Sequence, residues 1–361
     1  MRPTLTARRI HRRLLPLAAL FTAASLVCLG LQIPLAPGAS ADITAQAGLA
    51  TLMGSYNSST GLIGTSWWQA AVAQTTLETY EQTTGDKTWE YVIPTAFAAN
   101  KASRFENDAM DDTGWWAWAW IEAYDITRNH AYLAMAETDA NYIHKYWDST
   151  CGGGLWWTTA KTYKNAIPNE LFLYVTAALH NRIPGDTKYL SWAEAEWSWF
   201  AKSGMINGQD LVNDGLDPST CQNNGQPTWT YNQGVILAGL TALYYATHNA
   251  ALLSTAEGIA NAAIAHLSAG GILVEPCEPN CDNDGQSFKG IFVRSLRLLA
   301  KAAKTSAYNT FFQDQAASIA ANDVNAGNHL GLQWTGPLTD LTSWSQASAE
   351  DALVAAIGPP H

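Results

Sequence analysis

Apolar residues recur three and four positions apart along almost the whole chain, and nowhere do they alternate with polar ones for long enough to make a convincing strand. This spacing predicts twelve helices, over about 43–55, 66–82, 90–99, 113–127, 131–148, 167–183, 187–203, 229–247, 250–269, 287–303, 306–322 and 341–357. The connections fall into two classes. Those before the second, fourth, sixth, eighth, tenth and twelfth segments are long, while most of the others have the short length that joins packed neighbours. Helix pairs stacked around an axis would bring every long loop to one rim, where binding and catalytic groups gather. The fold class implied is all-α: an (α/α)6 barrel of about twelve helices with its long loops on the active-site rim.

The segments also differ in character. Trp115-Trp116-Ala117-Trp118-Ala119-Trp120-Ile121 is apolar on every side and belongs to a helix buried all round. Ser191–Trp197 and Gln69–Glu81 mix polar and apolar positions, the pattern of a helix with one wet face. No strict repeat exists beyond the helix pairing, so a solenoid of thirty-odd-residue units is not indicated.

The start of the chain breaks the pattern. Arg8, Arg9, Arg12 and Arg13 precede an apolar stretch from Leu14 to Leu31, and Ala39-Ser40-Ala41 has the small-x-small form of a signal peptidase site. Residues 1–41 are therefore read as a signal peptide cleaved near Ala41, giving a secreted protein that begins near Asp42. Residues 42–361, which contain no Pro/Gly/Ser-rich linker, form a single catalytic domain. A membrane anchor, a paired-arginine export signal and a lipoprotein site at Cys28 fit these residues less well.

Charge and cysteine content narrow the partners. The sequence has 20 Lys+Arg against 31 Asp+Glu, a net charge of −11, and Arg2, Arg8, Arg9, Arg12 and Arg13 leave with the leader. A chain this acidic is not built for nucleic acid or anionic lipid, and no further apolar run is long enough to span a membrane. Outside the leader stand Cys151, Cys221, Cys277 and Cys281, an even number in an exported chain, which suggests two disulfides. Of the three possible pairings, a loop clip Cys277–Cys281 with a longer tie Cys151–Cys221 is favoured. A zinc site is the rival, but paired C-x-x-C modules and a nearby His are lacking.

Candidate chemistry centres on Asn107-Asp108-Ala109-Met110-Asp111-Asp112-Thr113-Gly114-Trp115-Trp116, where adjacent acids end a long loop and open an aromatic helix. Cleavage of a glycosidic bond needs two carboxylates, one to attack or stabilise the anomeric carbon and one to protonate the leaving oxygen. Neighbouring Cα atoms lie about 3.8 Å apart, so the close carboxyl separation of a retaining enzyme is easier to reach than the wider inverting one. Capping of a helix beginning at Thr113 explains a bare Asp-Asp pair more cheaply. The surroundings favour catalysis: Trp67-Trp68, Trp115-Trp116 and Trp156-Trp157 stand where long loops meet helices, each doublet expected to give one ring to the core and one to a cleft. Asn213-Asp214-Gly215, Asn223-Asn224-Gly225-Gln226, Tyr231-Asn232-Gln233 and Asp282-Asn283-Asp284-Gly285-Gln286 add the donors and acceptors that a hydroxyl-rich ligand needs. Asp282–Gly285 also looks like the opening of a calcium loop, but Phe292 stands where the closing Glu would be. No metal or cofactor is expected. There is no H-E-x-x-H, G-x-S-x-G or phosphate-cradling glycine loop.

Taken together and in order, these motifs resemble glycoside hydrolase family 76, the α-1,6-mannanases. The resemblance runs from Trp67-Trp68-Gln69-Ala70-Ala71 through the Asp pair, Cys151-Gly152-Gly153-Gly154-Leu155-Trp156-Trp157, Tyr163-Lys164-Asn165-Ala166 and Asn169-Glu170-Leu171. It continues through Asn213–Leu216 and Trp229–Val235 to Phe288-Lys289-Gly290-Ile291-Phe292. It implies an (α/α)6 barrel and a retaining endo-α-1,6-mannanase that hydrolyses α-1,6-linked mannan or mannooligosaccharides, with Asp111 as nucleophile and Asp112 as general acid/base. Candidate substrate-binding residues are Asn57, Trp67, Trp115, Trp116, Trp156, Asn169, Asp214, Tyr231, Asn232, Gln233, Phe288 and Lys289. A monomer is expected. The alternatives are a transglycosylase that remodels mannan or lipoglycan through the same ester, and a noncatalytic glycan-binding protein.

Overall fold

Helix ends along the chain are set by local chemistry that the sequence supplies. Asn129 and Asn249 each accept an N–H two residues on, from Ala131 and Ala251 at 3.1 Å, and so cap the helices they precede. Gly85 ends another helix in the left-handed conformation at φ 76°. The computed structural model describes residues 37–358, with side chains from Ala45 onward; residues 1–36 of the expected leader lie outside them, and its cleavage site, residues 39–41, falls at the start of the first helix. The helices are α1 (Pro37–Leu52), α2 (Trp67–Thr84), α3 (Val92–Asn100), α4 (Met110–Thr127), α5 (His130–His144), α6 (Ala166–His180), α7 (Lys188–Ser203), α8 (Thr230–Thr247), α9 (Ala250–His266), α10 (Phe288–Ala303), α11 (Asn309–Asn322) and α12 (Ser343–Ala356).

The even-numbered helices pack in a closed ring, α2 on α4, α4 on α6, α6 on α8, α8 on α10, α10 on α12 and α12 back on α2. Odd-numbered helices lie outside: α5 on α4, α7 on α6, α9 on α8, and α1 and α11 on α12. Helix α3 reaches α4 through Phe97, edge-on to Trp120 at 5.2 Å. This is the (α/α)6 barrel that the periodicity predicts. Its inner helices are buried all round, from Ala166 to Leu179 in α6 and from Thr230 to Leu243 in α8, whereas α7 buries only Tyr189, Ala193, Glu196, Trp199 and Phe200, one stripe at helical spacing. The inner helices touch because two glycines let them: a Cβ on Gly234 would stand 2.5 Å from Phe292 Cα, and one on Gly290 2.5 Å from Ser348 Cα.

Two expectations need correction. Gln69–Glu81 reads as a helix with a wet face, yet α2 belongs to the inner ring and buries Gln74, Thr75, Thr76 and Glu78. Buried polar side chains there meet one another or the helix backbone, as Gln74 meets Glu78 at 2.9 Å and the two threonines meet carbonyls one turn back. The fourth helix begins at Met110 rather than Thr113, so Asp111 and Asp112 lie inside its first turn.

The long loops 53–66, 101–109, 145–165, 204–229, 267–287 and 323–342 all precede inner helices, so all six inner N-termini open onto one rim. The strands are two or three residues long and stitch these loops. In the largest sheet Lys164 pairs with Leu216, Asn165 with Gly215, and Leu216 with Asn223. Disulfides Cys151–Cys221 and Cys277–Cys281 are both formed, the pairing favoured from sequence. Among the described residues no helix is long and apolar enough to cross a membrane.

Candidate active site

The rim loops are clamped by buried polar side chains that reach up from the ring. Lys164, wholly buried, donates to the carbonyls of Thr150, Gly153 and Gly154 at 2.6–2.8 Å and to Asp148 at 3.2 Å, with the faces of Trp156 and Trp199 beside it. Asn169 holds the backbone N–H of Leu155 at 2.7 Å. Gln233 grips both the N–H and the carbonyl of Val212 at 2.7 Å. Lys289 donates to Glu278 at 2.5 Å and to the carbonyl of Leu332 at 2.7 Å. The glycines of 152–154 are needed here, because a Cβ on Gly154, at φ 83°, would meet the Trp199 ring at 2.2 Å.

So held, the 145–165 loop lies against the start of α4. Met110 N–H, the first donor of that helix, goes to the carbonyl of Trp157 at 2.8 Å, and Trp157 N–H goes to Tyr163 at 2.8 Å. The exposed Trp157 indole is thereby aimed at Asp111, donating to Oδ1 at 2.9 Å. Asp111 also accepts backbone N–H groups of the first turn, its own and that of Asp112. Burial raises its pKa to about 6 despite these three donors. Asp112 has one donor, Asn107 Nδ2 at 2.6 Å. Asn107 is itself fixed, its N–H on Thr113 Oγ1 at 3.0 Å and its carbonyl accepting from Tyr142 at 2.9 Å. Burial, then the charge of Asp111, then that of Asp284 raise Asp112 to about 8. Two adjacent carboxyls are thus pushed apart by unequal surroundings, the mark of an acid and base pair.

Around them lies an aromatic and acidic cleft. Buried Tyr231 stacks on Phe288 at 3.8 Å and 14°, and burial together with the charges of Asp214, Asp111, Glu170 and Asp284 raises its pKa, keeping the phenol a donor. Asp214 accepts from Tyr163 at 2.5 Å and from the Trp229 indole. Asp284 accepts from Trp68 Nε1 at 3.2 Å and from Gln69 at 3.4 Å. Trp68 stacks on Trp115 at 5.7 Å. Such a cleft offers flat aromatic faces beside fixed acceptors, which suits a sugar ring, and two carboxyls of unequal acidity side by side.

A family model described as Glycosyl hydrolase family 76 matches residues 39–357. The chain belongs to this family. Among curated relatives, mannan endo-1,6-alpha-mannosidase DFG5 of Saccharomyces cerevisiae is 30% identical over 309 residues, covering 74% of this chain and 65% of that protein. Mannan endo-1,6-alpha-mannosidase DCW1 of Candida albicans is 30% identical over 264 residues, covering 66% of this chain and 57% of that protein. The fold is shared with an inactive variant of the α-1,6-mannanase of Salegentibacter, two adjacent aspartates replaced by alanine, in complex with alpha-1,6-mannotetrose. That likeness has a TM-score of 0.78 at 22% identity and covers 88% of this chain and 98% of the other. Dfg5 from Chaetomium thermophilum superposes at a TM-score of 0.79, with 20% identity over 89% of this chain and 92% of that one.

Within this family 76 barrel the sequence-predicted site residues separate into two groups. Asp111, Asp112, Asp214, Tyr231 and Phe288 come together, with Trp115 behind Trp68 and Asn232 donating to the buried Glu170 at 3.2 Å. The others face elsewhere. Trp67 stacks on Phe105 at 5.7 Å and Trp116 is wholly buried against Trp120. Trp156 is buried with its N–H on Asp148 at 2.6 Å. Asn169, Gln233 and Lys289 are the loop clamps. Asn57 accepts from Ser59 and Thr60 in its own turn. Trp157, Trp68, Asp284, Asn107, Tyr163 and Trp229 take the places left open. The doublets signalled Trp68 and Trp157, and the amide-rich run 282–286 signalled Asp284.

Proposed function

We propose that this chain is a secreted, monomeric, retaining endo-acting glycoside hydrolase that cleaves α-1,6-linked mannan, with Asp111 as nucleophile and Asp112 as general acid/base. The observation that carries this reading is the inequality of the two carboxyls: Asp111, with three N–H donors, ionises near pH 6, while Asp112, facing that charge, keeps its proton to about pH 8. At neutral pH one is the anion that attacks and the other the acid that protonates. Relatives named mannan endo-1,6-alpha-mannosidases supply the substrate class. A fold neighbour inactive without its adjacent aspartates, and holding alpha-1,6-mannotetrose, supports the same pair.

In the first step an Asp111 oxygen attacks C1 of the mannose from the face opposite the leaving sugar. The C1–O bond to that sugar breaks, and its oxygen takes the Asp112 proton. The Trp157 indole and the first-turn N–H groups of α4 remain beside the Asp111 oxygen that is not bonded to C1, while Asp112, now an anion, accepts the Asn107 N–H. In the second step Asp112 removes a proton from water, the water oxygen bonds C1, and Asp111 leaves as carboxylate. Two inversions give net retention. Tyr231 and Asp214 supply a donor and an acceptor for the hydroxyls of the sugar being cleaved, and Trp68 and Trp157 supply faces for its neighbours. Export fits the two disulfides, which persist in an oxidising compartment.

The test is incubation with α-1,6-mannotetraose followed by proton NMR. The α-anomer of the shorter product is expected first. Initial release of the β-anomer would overturn retention; products longer than the substrate, with little reducing sugar, would replace hydrolysis by transfer to a sugar acceptor. Binding without turnover would leave a glycan-binding protein.

A further inference from the structure

At the end of the barrel opposite the rim, a cavity of about 370 Å3 opens between the last turn of α10, the start of α11 and the end of α12. Arg297, Lys301, Lys304, Ser306, Asn309 and Phe312 line it. We propose that this cavity is a binding site for a phosphate monoester, separate from the active site. Arg297 lies nine residues along α10 from Phe288, roughly 13 Å at the rise of an α-helix.

Three observations converge there. Arg297 is only 9% exposed, and of its guanidinium nitrogens Nη2 donates to the Gly358 carbonyl at 3.0 Å while Nε has no partner. Asp351, whose charge acts on Arg297, is engaged by Arg294 at 3.2 Å. Burial lowers Arg297 to about 10, still a cation at neutral pH and one that a dianion would relieve. Lys301 and Lys304 are exposed cations on the same cavity, in a chain whose net charge is −11. Finally, α11 begins at Asn309 with no side chain capping it and no acid in its first turn, so although Asn309 N–H meets the Ser306 carbonyl at 3.0 Å, no negative charge offsets its positive end at the cavity wall.

Cations at the end of α10 also complement that helix's dipole, which accounts for the charge of Lys301 and Lys304. It does not account for a buried guanidinium with an unpaired nitrogen. On the other side Phe312, Ala300 and Ala355 give an apolar wall. Cations and an uncompensated helix terminus at one side, and an apolar wall at the other, fit a phosphate carried on an organic body better than a bare ion.

Calorimetric titration of the full chain with phenyl phosphate, inorganic phosphate and phenol at low ionic strength tests this. Phenyl phosphate is expected to bind one per chain and more tightly than inorganic phosphate, with no binding of phenol. Lys301→Ala/Lys304→Ala, both on the surface, should weaken phenyl phosphate roughly tenfold or more while leaving the melting temperature and mannan hydrolysis unchanged. Arg297→Lys should weaken it as well by removing the planar fork. Phosphatidylcholine vesicles carrying phosphatidic acid separate the sources. Sedimentation with them that the double variant abolishes would assign the phosphate to a lipid headgroup at this same site, and none is expected if the ligand is free in solution. Absence of phenyl phosphate binding up to about 10 mM, or binding unaltered in the double variant, would overturn the proposal.

Discussion

Replacing Trp157 with Phe removes one hydrogen atom's worth of chemistry and keeps most of the ring. The indole N–H donates to Asp111 Oδ1 at 2.9 Å, and the ring meets Tyr163 edge-on at 6.4 Å, a contact that phenylalanine keeps in part. A hydrogen bond to a charged acceptor is worth about 1.5–3 kcal/mol, and one pKa unit corresponds to about 1.4 kcal/mol. Losing it should therefore raise Asp111 by about one to two units from its value of about 6. The sign follows from the role: the nucleophile must be ionised, so the acidic limb of the kcat/KM profile moves to higher pH by that amount. The loss of activity should be plainest just above pH 6, where the variant is largely protonated and the wild type is largely ionised. The assay is reducing-sugar release from α-1,6-mannotetraose between pH 4 and pH 9, with melting temperatures measured alongside. A change in sugar stacking would alter KM equally at every pH and cannot imitate a moved limb. An acidic limb within about 0.3 units of wild type, well inside the shift expected from one hydrogen bond, would show that the indole does not tune the reacting carboxylate.

Three further outcomes follow from the same structure. Asp284→Asn removes a negative charge that raises Asp112, so the basic limb of the profile should move to lower pH; a limb that stays in place would remove Asp284 from the electrostatics of the acid. Burial raises Asp111 to about 6, Asp351 to about 6, Glu81 and Asp323 to about 7 and Glu275 to about 8. The folded chain thus binds more protons than the unfolded one between pH 4 and pH 8, and stability falls as pH rises through that window; calorimetry should find a higher melting temperature at pH 5.5 than at pH 8, and the reverse order would contradict this burial. Cys151→Ser/Cys221→Ser opens a tie across 70 residues, worth about 4 kcal/mol in the chain-entropy model. It should lower the melting temperature by roughly 6 °C and reduce turnover as well, because the two loops it joins carry Trp157 and Asp214.

The ring of helices is legible in the sequence because each helix has an apolar pattern of its own and the loop lengths alternate. What local pattern misses is decided at long range. Asp111 and Asp112 are good capping residues, so spacing starts the fourth helix after them; in the structure its first N–H is satisfied by the Trp157 carbonyl, 47 positions along the chain, and the acids are drawn inside. The tryptophan doublets announce one ring inward and one outward, but which is which depends on the path of the preceding loop, and Trp68 and Trp157 rather than Trp67 and Trp156 meet the carboxylates. The same ambiguity governs polar side chains. Asn169, Gln233 and Lys289 have the chemistry to hold a sugar, and a sequence has no means of recording that backbone carbonyls and amides already occupy them. The wet face read into Gln69–Glu81 failed likewise, since Gln74 and Glu78 answer each other inside the ring.

The clamps have an implication for how this architecture diversifies. Three of the six rim segments are locked from beneath by a residue of the next inner helix or its lead-in: Lys164 and Asn169 for 145–165, Gln233 for 204–229, Gln346 for 323–342, where it accepts Leu330 N–H at 2.9 Å. A segment and its lock therefore form an exchangeable cassette. Recombination that moves a loop together with its lock would transplant a subsite onto an undisturbed ring, whereas a loop moved alone would arrive with its carbonyls unmatched. Inheritance of new specificities, and their engineering, should travel in those paired pieces.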